Sequence, residues 1–320
     1  MADLPARVHI REEGPREGFQ IEAGPISTAD KVALIDALSD TGLRHIQTVS
    51  FVSPKAVPGW ADADRVVEGF KKNDGVEYTA LWFNERGAQQ ALQHRDKLHL
   101  VGTIAMVASE IFLQKNLRRT KEQHFEATLG QSRFHVAHAI PIEQVGVMAA
   151  FGCNYSGDVP VAAVMEEIED GLKIAAEVGA RITQLGLADS MGWCTPVGTE
   201  RLVGEVRSRW PELDIVLHLH DTRGQGLASA YAALKMGVQY LDSTVAGLGG
   251  CPFAGQPGAT GNIASEELVM LCQELGIETG VDLDALIEAG RLAERIVGHP
   301  LPSTLLRSTP LSSCRQRVSA

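Results

Sequence analysis

Short apolar runs alternate with longer amphipathic ones along the chain. The first apolar run, RVHIREEG (7–14), is predicted to be a strand. STADKVALIDALSDTG (27–42) carries its apolar residues at helical spacing, with Ser27 or Thr28 able to cap it and Gly42 to stop it. The same rhythm predicts strands at RHIQTVSF, VEYTALWF and KLHLVGTIAM, with helices at DADRVVEGFKK and ERGAQQALQH between them. A helical region runs from Ala108 to about His138, with one break expected near TLGQS. Strands QVGVMAAFG, ARITQLGLAD, DIVLHLH and QYLDSTVAG then alternate with helices VPVAAVMEEIEDGLKIAAEVG, GTERLVGEVRSRW, GLASAYAALKMG and ASEELVMLCQELG. DLDALIEAGRLAERIVG adds a helix beyond the eighth pair.

Eight strand–helix pairs in about 270 residues suit an α/β fold of the (β/α)8 TIM-barrel kind, which uses roughly 250, with extra C-terminal helices. A doubly wound open sheet is the rival, weakened because no glycine-rich phosphate-binding fingerprint follows the first strand. The expected organisation is one catalytic barrel over 1–300 and a loosely ordered C-terminal tail over 301–320.

Composition narrows the function. The 320 residues are 44% hydrophobic and 22% charged, ordinary for a globular chain. The formal net charge of −11 gives no basic footprint for nucleic acid. No apolar run is long enough to cross a bilayer, and MADLPARVHIREEG lacks the apolar centre of a signal peptide. Five scattered cysteines, at 153, 194, 251, 272 and 314, fit a reducing cytoplasm better than a disulfide framework.

In DIVLHLHDTRGQG (214–226), His218 and His220 sit two residues apart on one strand, so both imidazoles face the same way. Other polar residues gather at the predicted carboxyl ends of strands, where barrel sites lie. Arg16, Glu17 and Gln20 follow the first strand, Gln47 and Ser50 stand on the second, and Asp189 ends the sixth. A glycine-rich loop after the eighth carries Cys251 and runs to Asn262. Two imidazoles with a carboxylate from a facing strand make a divalent-metal site, and mixed nitrogen and oxygen donors suit Mn, Co, Zn or Fe more naturally than Mg. Read singly, the histidines could be structural, Arg16 and Glu17 a surface ion pair, and Cys251 a packed thiol. Their co-location favours the metal reading.

EGPREGFQ (13–20), TVSFVSPKAVP (48–58), FGCNYSGDV (151–159), LADSMGWCTP (187–196), HLHDTRGQGLAS (218–229), GLGGCPFA (247–254) and TGNIASEELV (260–269) together resemble the 3-hydroxy-3-methylglutaryl-CoA lyase family, a branch of the DRE-TIM metallolyases. The resemblance implies a metal held by Glu17, His218, His220 and Asn262, with Mg2+ or Mn2+ the expected ion. It implies Arg16, Asp189, His218 and Cys251 as catalytic residues, with Asp189 the first candidate base and His218 the second. Gln20, Gln47 and Ser50 would contact substrate, and Asp221 would orient a metal histidine. The implied reaction is retro-Claisen cleavage of a 3-hydroxyacyl-CoA to acetyl-CoA and a keto acid, in a homodimer.

The chain departs from the family pattern. Glu17 stands for Asp, reaching about 1.5 Å further, and Gln47 stands for Glu. Ile21 replaces a polar residue, and the loop after Cys251 looks longer. Gln47 points to a thioester with a larger or more polar substituent than the methylglutaryl one. The alternatives are a Claisen-type synthase, disfavoured by a chain that ends soon after the barrel, a 4-hydroxy-2-keto-acid aldolase working without CoA, and a non-catalytic metal- or ligand-binding barrel.

Overall fold

The computed structural model describes residues 4–22, 24, 26–249 and 261–319. β1 (His9–Glu12) leads through a π-type turn, Gly14–Gly18, and the short α1 (Phe19–Ile21) to α2 (Thr28–Ser39). β2 (His45–Ser50) precedes α3 (Ala63–Gly69), and β3 (Glu77–Leu81) precedes α4 (Glu85–Ala91). β4 (Gly102–Val107) is followed by α5 (Glu110–Leu117) and α6 (Lys121–Ala137), and β5 (Ile142–Met148) by α7 (Val161–Val178). β6 (Gln184–Ala188), β7 (Asp214–His218) and β8 (Tyr240–Ser243) lead to α8 (Pro196–Arg209), α9 (Gly226–Lys235) and α10 (Ser265–Glu274). α11 (Leu283–Val297) and α12 (Leu311–Ser319) follow.

All strand pairs are parallel, in the order β3-β2-β1-β8-β7-β6-β5-β4. This is the expected TIM-barrel architecture, curled with the seam between β3 and β4 outside the ladder. A backbone bond from His99 N–H to Tyr78 C=O (2.7 Å) bridges that seam. So does a side-chain bond: Trp82, just after β3, donates its indole N–H to Nε2 of His135 on α6 at 2.9 Å. Gly102 opens β4 against the same imidazole, and a Cβ there would lie 2.5 Å from its Nδ1.

His135 is 1% exposed, and burial lowers its pKa from the ordinary 6.5 to about 4. Its Nε2 must also be unprotonated to accept the indole bond. A folded-state pKa below the unfolded one gives stability that is full above pH 6.5 and lost as pH falls towards 4. The expected slope is about 1.4 kcal/mol per pH unit across that window. Urea unfolding at pH 7 and pH 5 measures it, and His135→Gln should flatten the difference; an unchanged slope in the variant would refute the assignment.

Two local expectations are corrected. The break between α5 and α6 falls at Arg118, not near TLGQS. Arg118 takes a left-handed conformation (φ 55°), and Thr120 with Gln123 forms a capping box that restarts the helix. The tail is not loose over 301–306. Leu301, Leu305 and Leu306 are buried, and Glu267 Oε1 accepts from Thr304 and Leu305. Among the described residues no helix is long and apolar enough to cross a membrane.

Candidate metal centre and active site

Parallel register assembles the site. His218, the last residue of β7, pairs with Ala188 on β6 and Asp242 on β8. Two residues on, His220 bridges to Asn262. β1 ends beside β8, with Glu12 opposite Ser243, and its following turn carries Arg16 and Glu17 inward; both are buried. Glu12 shapes that turn. Its carboxylate accepts from Gly14 N–H (2.7 Å), Val245 N–H (2.8 Å) and Ser265 Oγ–H (2.6 Å), tying the ends of β1 and β8 together. The carboxylate lies so close to Gly14 that a Cβ there would sit 2.5 Å from Glu12 Oε1.

The donor atoms of Glu17, His218 and His220 converge. Nε2 of His218 and Nε2 of His220 are 3.2 Å apart, and Glu17 Oε1 is 3.9 Å from the first and 3.8 Å from the second. Three atoms so separated lie on a circle of radius about 2 Å, the length of a bond from nitrogen or oxygen to a small divalent ion. Asn262 donates its amide to Glu17 Oε1 at 2.9 Å, while its own carbonyl oxygen is buried without a hydrogen-bond partner. A buried acceptor left unpaired is costly, and a cation beside Glu17 would satisfy it. These four residues fit a divalent metal. Burial works to raise the Glu17 carboxyl, but the Arg16 guanidinium and both imidazoles overcome it and hold it well below the usual carboxylate range.

The far side of His218 is also built. Its Nδ1 lies 3.4 Å from Asp242 Oδ2 and 3.6 Å from Glu13 Oε2. Burial alone would lower the imidazole's pKa, and the carboxylates of Glu17, Asp242 and Glu13 raise it instead to about 9. Asp242 is in turn 3.1 Å from Arg11 Nε, whose Nη1 donates to Gln144 on β5. The carboxylate beside a metal-candidate imidazole is therefore that of Asp242 and not of Asp221. Asp221 Oδ1 accepts from Gly226 N–H (2.7 Å), fixing the turn into α9.

Arg16 is gripped by neighbours rather than lying on a surface. Nε donates to Gln47 Oε1, and Nη2 donates to Glu13 Oε2 at 2.6 Å and lies 3.1 Å from Glu17 Oε2. Trp60 donates its indole N–H to the Arg16 carbonyl at 3.1 Å. Trp60 itself is buried beneath Lys31, whose ammonium lies 4.7 Å from the ring centroid and 2.6 Å from Asp62.

The remaining expected residues divide. Asp189 is fully buried, and its two oxygens accept from Trp193 N–H (2.7 Å) and Cys194 N–H (3.0 Å), while its own N–H donates to the His218 carbonyl. Ser50 is buried with its hydroxyl unpartnered, and Gln20 is half-buried on α1. Cys251 lies outside the described residues. Glu13, Asp242, Arg11 and Trp60 were not anticipated. The acids alone left a trace in the sequence: Glu13 closes the REEG run, and Asp242 is the acid in the strand beside the two histidines.

Comparison with known proteins gives the same picture along the whole chain. The profile of the HMGL-like family matches residues 7–293. The chain is 37% identical over 303 residues to the hydroxymethylglutaryl-CoA lyase YngG of Bacillus subtilis strain 168, covering 95% of this chain and 97% of that one. It is 39% identical over 299 residues to a 3-hydroxy-3-isohexenylglutaryl-CoA/hydroxymethylglutaryl-CoA lyase of Pseudomonas aeruginosa, covering 92% and 95%. The solved structure of an HMG-CoA lyase from Acinetobacter baumannii, in complex with coenzyme A and 3-methylmalate, superposes with a TM-score of 0.85 at 35% identity, covering 97% of each chain.

Proposed function

The chain belongs to the HMGL-like family, and from that premise we propose that it cleaves a 3-hydroxyacyl-CoA, hydroxymethylglutaryl-CoA or a close relative, to acetyl-CoA and a keto acid. The observation that carries the reading is the meeting of Glu17, His218 and His220 with the unpaired Asn262 oxygen, directly beside a buried Arg16. An oxygen-chelating thioester bearing a tertiary hydroxyl is the substrate such a centre suits.

Glu17, His218, His220 and Asn262 would hold the ion, which we read as Mn2+ or Mg2+. A divalent cation there acidifies the substrate hydroxyl and polarises a neighbouring carbonyl. Asp189 is the proposed base, supported by its burial beside the end of the His218 strand. Loss of the hydroxyl proton lets the oxygen's electron pair close a ketone as the C2–C3 bond breaks. The pair from that bond moves onto the thioester as an enolate, and Arg16 is placed to donate to the enolate oxygen. A proton returned to C2 completes acetyl-CoA; Cys251 is the proposed donor. His218 would offer Nε2 to a bound ion, while Asp242 beside Nδ1 would fix its tautomer. Gln20 and Ser50 are proposed to line the acyl group. We infer a cytoplasmic setting, supported by the buried free thiols of Cys153, Cys194 and Cys272, and a homodimer, supported by the family resemblance.

Incubating the protein with Mn2+ and a panel of 3-hydroxyacyl thioesters tests this. Acetyl-CoA and keto acid should appear in equal amounts, and a chelator should stop both. No acetyl-CoA from any member of the panel would overturn the reading. The panel also ranks the acyl group: turnover of longer C3 substituents at least matching the methyl compound supports the inference from Gln47, and a wide preference for methyl removes it.

A further inference from the structure

Arg16 meets three acceptors, and they differ in charge. Gln47 is neutral. Glu17 is shared, because its other oxygen already accepts from Asn262 and faces both imidazoles. Glu13 contributes the closest charged contact, at 2.6 Å to Nη2, with both side chains about nine-tenths buried. At such burial, charge pairing is poorly screened and geometry is tightly set. Glu13 stands three residues before Arg16 in the turn that also delivers Glu17, so one short segment carries the guanidinium, its counter-charge and a metal ligand.

We propose that Glu13 is the positioning residue for Arg16. It supplies the nearest negative charge, on an oxygen that also lies 3.6 Å from His218 Nδ1, and so fixes the guanidinium between β1 and β2, leaving the other N–H groups to face the enolate oxygen. Glu13, His218 and Asp242 do not form a second cation site. Arg16 lies on Glu13, and Arg11 lies 3.1 Å from Asp242, so two guanidinium groups already oppose those carboxylates. The proposal rests on the lyase reading for its kinetic consequence, but not for its structural one.

A charge swap tests it. Glu13→Gln and Gln47→Glu each preserve side-chain shape, and the double variant carries the same atoms and net charge with the carboxylate moved to the other side of Arg16. Glu13→Gln is expected to lower kcat by roughly 10- to 100-fold, the scale of a misplaced catalytic group, with KM changed less than about threefold. Gln47→Glu alone should also slow turnover, because it adds a carboxylate to a pocket holding Glu13, Glu17 and Asp242. The double variant should return to near wild-type kcat. A merely structural Glu13 would lower stability without such rescue. Crystal structures of Glu13→Gln and of the double variant give the readout independent of activity: the guanidinium should leave its place in the first and regain it in the second. If the wild type turns over no thioester, the lyase reading fails, and the guanidinium's position alone decides this proposal. Unchanged kcat with Arg16 in place in Glu13→Gln, or a double variant as slow as Glu13→Gln, would overturn it. Should Glu13→Gln not fold, Glu13→Asp takes its place: the charge is kept but drawn back, and wild-type kcat would count against the proposal.

Discussion

His220→Ala is expected to weaken Mn2+ binding by roughly 100-fold or more, the upper end of what even outer partners of a metal site contribute, and to remove lyase activity at micromolar metal. The reason is geometric. Nε2 of His220 is one of three donor atoms that share a centre, and the segment just past β7 that carries it cannot offer a replacement, since Leu219 is packed in the core and Asp221 Oδ1 is taken by Gly226 N–H. Among the described residues Nδ1 of His220 has no hydrogen-bond partner, so the ring's polar contacts are confined to Nε2, which faces His218 and Glu17. The variant should therefore fold, with circular dichroism close to wild type. Calorimetric titration with Mn2+ alongside acetyl-CoA release checks both halves. Wild-type affinity in a folded variant would remove His220 from the metal set.

Arg16→Lys is expected to lower kcat by about 10²- to 10³-fold, the effect of losing one preorganised donor to a developing oxyanion, while Mn2+ affinity moves only a few-fold. Charge is retained, so the pairing with Glu13 and Glu17 persists in kind. What is lost is the planar fork that reaches Gln47 with Nε and Glu13 with Nη2 at once. Lysine is a point charge on a flexible stem and can satisfy one of those partners at a time. Steady-state kinetics with hydroxymethylglutaryl-CoA gives the answer. Retention of half the wild-type rate would mean that Arg16 is a counter-ion for Glu17 and no more.

The fold was legible because most strands are short buried runs and helices such as α7 and α11 carry long one-sided patterns, and neither depends on distant contacts for its signal. Helix boundaries were read well where a side chain marks them, as Ser27 does by accepting from Asp30 N–H. The break at Arg118 was missed because an arginine in the left-handed region leaves no compositional mark. The histidine pair was legible because strand geometry alone puts alternate residues on one face. Glu13 and Asp242 were not, since their roles come from register between β1, β8 and β7, which no single strand reveals. Gln47 shows the same limit from the other side. Its loss of charge could be read from the chain, but its oxygen accepts from Arg16, so the substitution acts first on the guanidinium.

The seam, joined among the described residues by the single His99–Tyr78 backbone bond and not by a ladder, gives the barrel a mechanical character. Eight strands whose ladder stops between β3 and β4 form a split ring, and a split ring flexes at its gap. Both flanking strands end on the side of the barrel that carries the candidate site, so widening there need not break sheet bonds elsewhere. Across the gap stands an indole resting on a neutral imidazole, which makes the stiffness of the ring answer to acidity, while the amide bonds of the other seven joints do not titrate.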